Sequence, residues 1–399
     1  MKLLDLIIDQ YERSSKWNNE TSGNASFRIE EKHYKIVGKA TLIDEAKELE
    51  CSELLKIRWV KGYYNVDIEK VEYPLSNMTY FYQMSRRKPK YISVAEQKDM
   101  VMKYYHIFKK SWIRNYIKLE VLPKLEKGDC HKNLKKGDCE NDLEKMKQFY
   151  QCLYGLDQLE SPMFKRVFSK RYLNNSKVFE KELQKKIISI ARKYADSVEE
   201  AMDSSMEDSD ILNQLYIEEY SQELNIKGKL RIEVEGSVID TGCFPYGTVL
   251  NSQTIKNAII LDNPQITKIL TIENKANFTA EPMEEGTLII FSHGYFSPLE
   301  RKFLKELADS LLEQPVTYLH SGDLDFGGVC IFRYIKNRIF PQLKPYRMDK
   351  DTFEKYKNYG EPIETATLEK LNKLKEPMLQ ELINLIIETG LVIEQEAYL

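Results

Sequence analysis

The sequence has no apolar run near the roughly 18 residues that a membrane-spanning helix needs. It is poor in cysteine, with six in 399 residues, and these lack the dense spacing of a disulfide-stapled secreted domain. The opening MKLLDLIIDQYERSSKW has neither the basic start nor the small-residue cleavage site of a secretory leader, and reads as an amphipathic first helix. A reducing, cytoplasmic setting without a membrane anchor is the expectation. Net charge is also small, −3 overall, so bulk charge gives no sign of a nucleic-acid binder. What is present is size and ordinary globular content. With 30% charged residues, 42% hydrophobic residues and 25 Tyr, the chain has material for two or three domains.

The charge is unevenly spread. Lys165 to Lys193 holds ten Lys/Arg against two Glu, and Tyr194 to Ile226 holds ten Asp/Glu and no Lys/Arg. Such blocks can pair, can be two solvated faces, or can be a basic face aimed at phosphates beside an acidic neighbour.

Along the chain, residues 1–159 read as a mixed α+β arm that turns helical after about residue 93. FRIEEKHYKIV and YYNVDIEKVEY carry the period-two alternation of half-buried strands. KGDC occurs twice, ending at Cys130 and Cys139 around His131. Zinc held by Cys130, His131, Cys139 and Cys152 is one reading; a local duplication in a surface loop is the other, since no CxxC pair is present. Residues 160–225 read as two helices broken at NNS, with Ser176 capping the second and Phe179, Leu183, Ile187 and Ile190 on one face. KGKLRIEVEGSVIDTG reads as a hairpin turning near Gly236, and a helix pair followed by a hairpin is compatible with a winged-helix module. From residue 226 the rhythm becomes α/β. ITKILTIEN, GTLIIFSHG and PVTYLHSGDLD are strands separated by helices, and this order predicts a mostly parallel sheet flanked by helices.

In such a sheet, ligands meet the carboxyl ends of the strands. Glu273 ends the first of these strands, and Asp323 with Asp325 ends the third. Residues i and i+2 of an extended segment point the same way, so both aspartates can face one ion. Carboxylate oxygens of this kind suit Mg²⁺ or Mn²⁺ bridging a phosphate. Gly327, Gly328 and Gly294 would let backbone approach that phosphate. The plainer alternatives are that Asp325 caps the next helix, Asp323 closes a turn and Glu273 is merely solvated.

A glutamate ending one strand, a DxD ending a later one, and a glycine after the strand between them resemble the Toprim domain of topoisomerases, primases and several nucleases. TIENKANF, SHGYFSP, HSGDLDFGG and PYRMD, in this order, with the closing VIEQEAYL, resemble more narrowly the JetD family, nuclease subunits of Wadjet plasmid-defence systems. The resemblance covers residues 160–399 well and the N-terminal arm loosely. It implies a Toprim catalytic domain over 226–399 and a winged-helix-like DNA-binding segment over 160–225, where Lys170, Arg171 and Lys177 are candidate DNA contacts. It also implies an endonuclease acting on double-stranded DNA. Glu273, Asp323 and Asp325 would bind Mg²⁺ or Mn²⁺, with Glu273 either a ligand or a general base. Relatives are richer in glycine where this chain has HGYF, which places His293 near the site. The implied partners are DNA, an SMC-type complex with kleisin and winged-helix subunits, and a second copy of the chain. Two other readings stand beside it: a transesterase using Tyr172, as in related type II topoisomerase A subunits, and a DNA- or partner-binding subunit without chemistry.

Overall fold

Leu3, Leu4, Ile7, Ile8 and Tyr11 recur at helical spacing and form one buried stripe on the helix Lys2–Arg13. They share a core with Phe27, Ile57 and Val71 of a three-stranded antiparallel sheet, Asn24–Arg28, Ile68–Pro74 and Lys56–Trp59 in spatial order. The computed structural model describes residues 2–18, 22–128, 139–199, 205–219 and 221–399. The chain divides into two units, Met1–Ile107 with Ile117–Lys145, and Phe108–Tyr116 with Met146–Leu399. No helix among the described residues is long and apolar enough to cross a membrane.

Two local expectations are corrected. The strand expected over FRIEEKHYKIV ends at Arg28, and Glu31–Val37 is a helix. His33 Nδ1 accepts from the Glu30 amide at 2.9 Å, closing the first turn, and Gly38 at φ 93° closes the last. The buried pair His33 and Val37 fits the four-residue helical spacing as well as it fits alternation. The second correction is at the break in the basic segment. Asn175, not Ser176, uses its side chain there, accepting from the Lys177 amide at 2.9 Å. The apolar face is as expected: Phe179, Leu183, Ile187 and Ile190 are all buried.

In the second unit, helices α1 (Lys165–Leu173) and α2 (Gln184–Tyr194) carry the basic block. A six-stranded mixed sheet follows, from β1 (Glu223–Lys227), β2 (Thr248–Asn251), β3 (Lys268–Ile272), β4 (Thr287–Phe291), β5 (Thr317–Ser321) and β6 (Lys344–Pro345). The spatial order is β6-β5-β3-β4-β1-β2. The ladders β6–β5, β5–β3 and β3–β4 are parallel, and β4–β1 and β1–β2 are antiparallel. β1 spans the junction expected between the helical segment and the α/β domain. The hairpin turns as read: Arg231–Val234 pairs with Ser237–Asp240 through Glu235 (φ 49°) and Gly236 (φ 79°).

β3 and β4 are near-continuous apolar runs because both faces of a central parallel strand are covered. Leu270, Ile272, Phe278 and Ile289 form a core cluster beneath one end. The connections are α3 (Lys275–Ala280) between β3 and β4, α4 (Pro298–Ser310) between β4 and β5, and α5 (Phe326–Arg338) between β5 and β6. β3 and β5 lie side by side in parallel register, Ile272 opposite Ser321, so their carboxyl ends open together.

Candidate active site

Glu273 is the first residue past β3 and Asp323 the second past β5. The parallel register brings them together: the Asp323 amide donates to Glu273 Oε2 at 3.3 Å. Between them the backbone must pass close to a carboxylate, and Gly322 permits it. A Cβ there would lie 2.5 Å from Glu273 Oε2. Asp325 is the N-cap of α5, its Oδ1 accepting from the Gly328 amide at 2.7 Å. The expectation of a helix cap at Asp325 therefore holds, while its charge still faces the other two acids.

Two further acids enter from the closing segment. Ile393 forms an antiparallel bridge with Leu324, the residue between the aspartates. That contact sets Glu394 and Glu396, both exposed, beside Asp323. Among the described residues, Asp323, Glu394 and Glu396 present carboxylate oxygens within 4.8 Å of one another. This set contains Asp323 but neither Glu273 nor Asp325. Hard oxygen donors in such a group fit Mg²⁺ or Mn²⁺ by donor chemistry. Sequence reading missed Glu394 and Glu396. The signal was there, an ExE with the same i, i+2 spacing as the DxD and following a buried Ile393.

The electrostatics follow from crowding. Burial raises Glu273 well above the ordinary carboxylate range, and the charges of Asp323, Asp325 and Glu394 raise it further. Burial, then Asp325, pushes Asp323 up to about 7. Burial raises Asp325 as well, opposed by the amides of Gly328 and Gly327. A carboxyl raised in the fold keeps its proton longer there than in the unfolded chain. Its contribution to stability is full in acid and is lost as pH climbs from the ordinary carboxylate range toward 7. Metal-free protein is thus expected to melt at a lower temperature at pH 8 than at pH 5.5. Asp323→Asn should flatten that difference in a thermal melt, and an unchanged pH dependence in the variant would contradict this account.

Glu273 and Asp323 line a cleft of ≈ 600 Å³ with Asn274, Lys275, His293 and Gly294. His293 follows β4 at φ 44°, a left-handed conformation strained for a non-glycine residue. Its Nε2 lies 3.1 Å from Oε1 of Glu300, which is wholly buried. Burial alone would lower the histidine and raise the acid. Their pairing reverses both, so His293 sits above its ordinary value and Glu300 below. The cleft thus has acids along β3 and β5 and a histidine held toward its charged form after β4. His320, on β5, is the opposite case. It is fully buried, hydrogen-bonded at Nδ1 to Thr271 Oγ1 at 2.8 Å and without a partner at Nε2, and burial pushes it down to about 3.

The remaining candidates lie apart from this cleft. Lys170, Arg171 and Lys177 are exposed around the end of α1, and Lys170 Nζ donates to the Asn174 carbonyl at 3.1 Å. Tyr172 is half-buried, its ring against Phe168 at 5.1 Å and close over Gly155, and it is not among the cleft residues. Cys130, His131 and the Cys139 side chain fall outside the described residues, and Cys152 is a wholly buried thiol.

The family model described as "Wadjet protein JetD, C-terminal" matches residues 226–398. These residues run from the end of β1 through the segment that carries Glu394 and Glu396. Among curated proteins, the Wadjet protein JetD of Bacillus cereus (strain Q1) is 27% identical over 414 aligned residues, covering 99% of this chain and 97% of that protein.

Proposed function

We propose, from the match of residues 226–398 to the JetD C-terminal family model and the 27% identity to a Wadjet protein JetD over 99% of this chain, that it is a JetD-type subunit of a Wadjet defence system and the DNA-cleaving one. In this reading the β1–β6 region is a Toprim domain that hydrolyses phosphodiester bonds of double-stranded plasmid DNA with Mg²⁺ or Mn²⁺. One observation carries it: the carboxylates of Asp323, Glu394 and Glu396 gather at the end of β5, Glu273 reaches the Asp323 amide from the end of the neighbouring parallel strand, and Asp325 caps the helix behind them. Repulsion among crowded acids is unfavourable for a fold on its own, and a cation would relieve it.

A divalent ion held there would supply charge neutralisation and a more acidic water. The chain's own residues supply the rest. Asp323, with Glu394 and Glu396, would hold the ion. Glu273, beside Asp323 at the end of β3, would be a further ligand or the base that takes a proton from the attacking water. His293, held toward its charged form by Glu300, faces the same cleft and would offer a positive group to the phosphate oxygens. Lys170, Arg171 and Lys177 are the proposed contacts to the DNA backbone, as exposed cations in the basic block. A second copy of the chain would set two sites against two strands, and an SMC-type complex would supply target choice. The packing of Tyr172 against Phe168 and Gly155 gives a transesterase no support.

The test is cleavage of supercoiled plasmid by the purified chain, with Mn²⁺ and with EDTA, alone and with its SMC-type partner complex. Nicked or linear product that appears with Mn²⁺ and vanishes with EDTA is expected in at least one arm. Absence of product in every arm would favour a binding subunit without chemistry.

A further inference from the structure

Gln395 is a polar residue only 1% exposed, and its hydrogen bonds go to residues at and just past the ends of β3 and β5 and to α3. Its amide nitrogen donates to Asp323 Oδ1 at 2.7 Å, and its carbonyl accepts from Asn277 Nδ2 at 2.8 Å. Its side-chain Oε1 accepts at 3.0 Å from the amide of Asn274, the residue after Glu273. Its Nε2 donates at 2.7 Å to Oγ of Ser321, the last residue of β5. One side chain therefore ties the backbone beside Glu273 to the strand that delivers Asp323, and the same residue's main chain holds the Asp323 carboxylate itself. The Leu324–Ile393 bridge sets the register, turning Gln395 inward and leaving Glu394 and Glu396 exposed on either side. A buried amide is tolerated only when its partners are met, so this arrangement has little freedom to slip.

We propose that Gln395 is a positioning residue that fixes the separation of Glu273 and Asp323 and the orientation of the Asp323 carboxylate. In this way it sets the site's affinity for a divalent cation without touching the ion. The inference rests on the reading of these acids as a metal site. Groups that orient metal ligands from outside typically change metal affinity by about 10–100-fold when lost.

The measurement is Mn²⁺ affinity of the intact chain, read from the electron paramagnetic resonance signal of free Mn²⁺ well below the melting temperature. Three variants accompany the wild type. Gln395→Met keeps the shape and removes the side-chain hydrogen bonds. Gln395→Glu can still accept from the Asn274 amide, and from the Ser321 hydroxyl once that hydroxyl turns to donate. Asn263→Ala removes a comparably buried amide elsewhere, one whose Oδ1 accepts from Arg231 N at 2.7 Å. The expected result is a loss of about 10–100-fold for Gln395→Met, with Asn263→Ala close to wild type and Gln395→Glu, which keeps acceptors and adds a negative charge, no weaker than wild type. Equal affinity of Gln395→Met and wild type would overturn the inference and leave the metal site standing. An equal loss in Asn263→Ala would assign the effect to general loosening and overturn it too. Wild type that binds no Mn²⁺ would remove the metal reading, and the positioning role with it.

Discussion

Asp323→Asn is expected to lose Mn²⁺-dependent cleavage by a factor of order 10²–10³ while the protein becomes more stable at pH 8. The two effects have one cause. Asparagine keeps an oxygen to accept from the Gln395 amide at the 2.7 Å contact, so the closing segment stays docked. It removes one of the crowded negative charges, so repulsion with Asp325, Glu394 and Glu396 falls. A site built for stability alone would show no activity change; a site built for a cation loses a ligand. Glu273→Gln should behave similarly, because Glu273 is raised by burial and by the same neighbours. Asp325→Asn separates capping from charge, since asparagine caps a helix about as well as aspartate. Plasmid cleavage and thermal melts on the three variants check this. If Asp323→Asn cuts DNA at the wild-type rate, the acids at β3 and β5 are not the reaction centre.

Gly328→Ala should be the most damaging single-methyl change in the site. A Cβ there would lie 2.2 Å from the Asp323 carbonyl oxygen and 3.0 Å from that residue's carbonyl carbon and nitrogen. All three are main-chain atoms, so no rotamer relieves the clash; either the DxD turn or the start of α5 must move. Overpacking of this kind costs about 1–3 kcal/mol, and more when the backbone cannot yield. Because the displaced residue is Asp323 itself, cleavage should fall with stability. Gly327→Ala is the control. Its Cβ meets only the Asp325 carboxylate, at 3.4 Å, which is ordinary contact, and alanine is a good helix former. Denaturant melts of the two variants should differ clearly, and equal stability would mean that α5 can slide away from the turn.

Much of this site is legible in the sequence because it is local. β3, β4 and β5 are short apolar runs bounded by polar turns, and the acids stand directly at their ends. Gly327 and Gly328 read equally as spacers, yet only Gly328 faces backbone. That difference is set by the fold around Asp323, not by residue type. Glu394 and Glu396 illustrate the harder case. Gln395 reaches Asp323 across 72 residues of sequence, and no periodicity connects them. The misread helix Glu31–Val37 shows a third limit. Over seven residues, a two-residue and a four-residue spacing share positions, and cap chemistry decides between them. The antiparallel pair β1 and β2 escapes a strand-by-strand reading for a related reason. The hairpin of Arg231–Val234 and Ser237–Asp240 is inserted between them, so partners in space are separated in sequence.

The segment that Gln395 anchors has a consequence for synthesis. Glu273 and Asp323 leave the ribosome before residues 394–396, so a nascent chain can build its sheet while Asp323 still lacks the neighbouring carboxylates of Glu394 and Glu396. Over that interval the DxD turn has no strand against Leu324, and Asp323 has no amide from Gln395. If the acids are the proposed metal site, chains released before these residues would lack both the Glu394 and Glu396 carboxylates and the amide that orients Asp323.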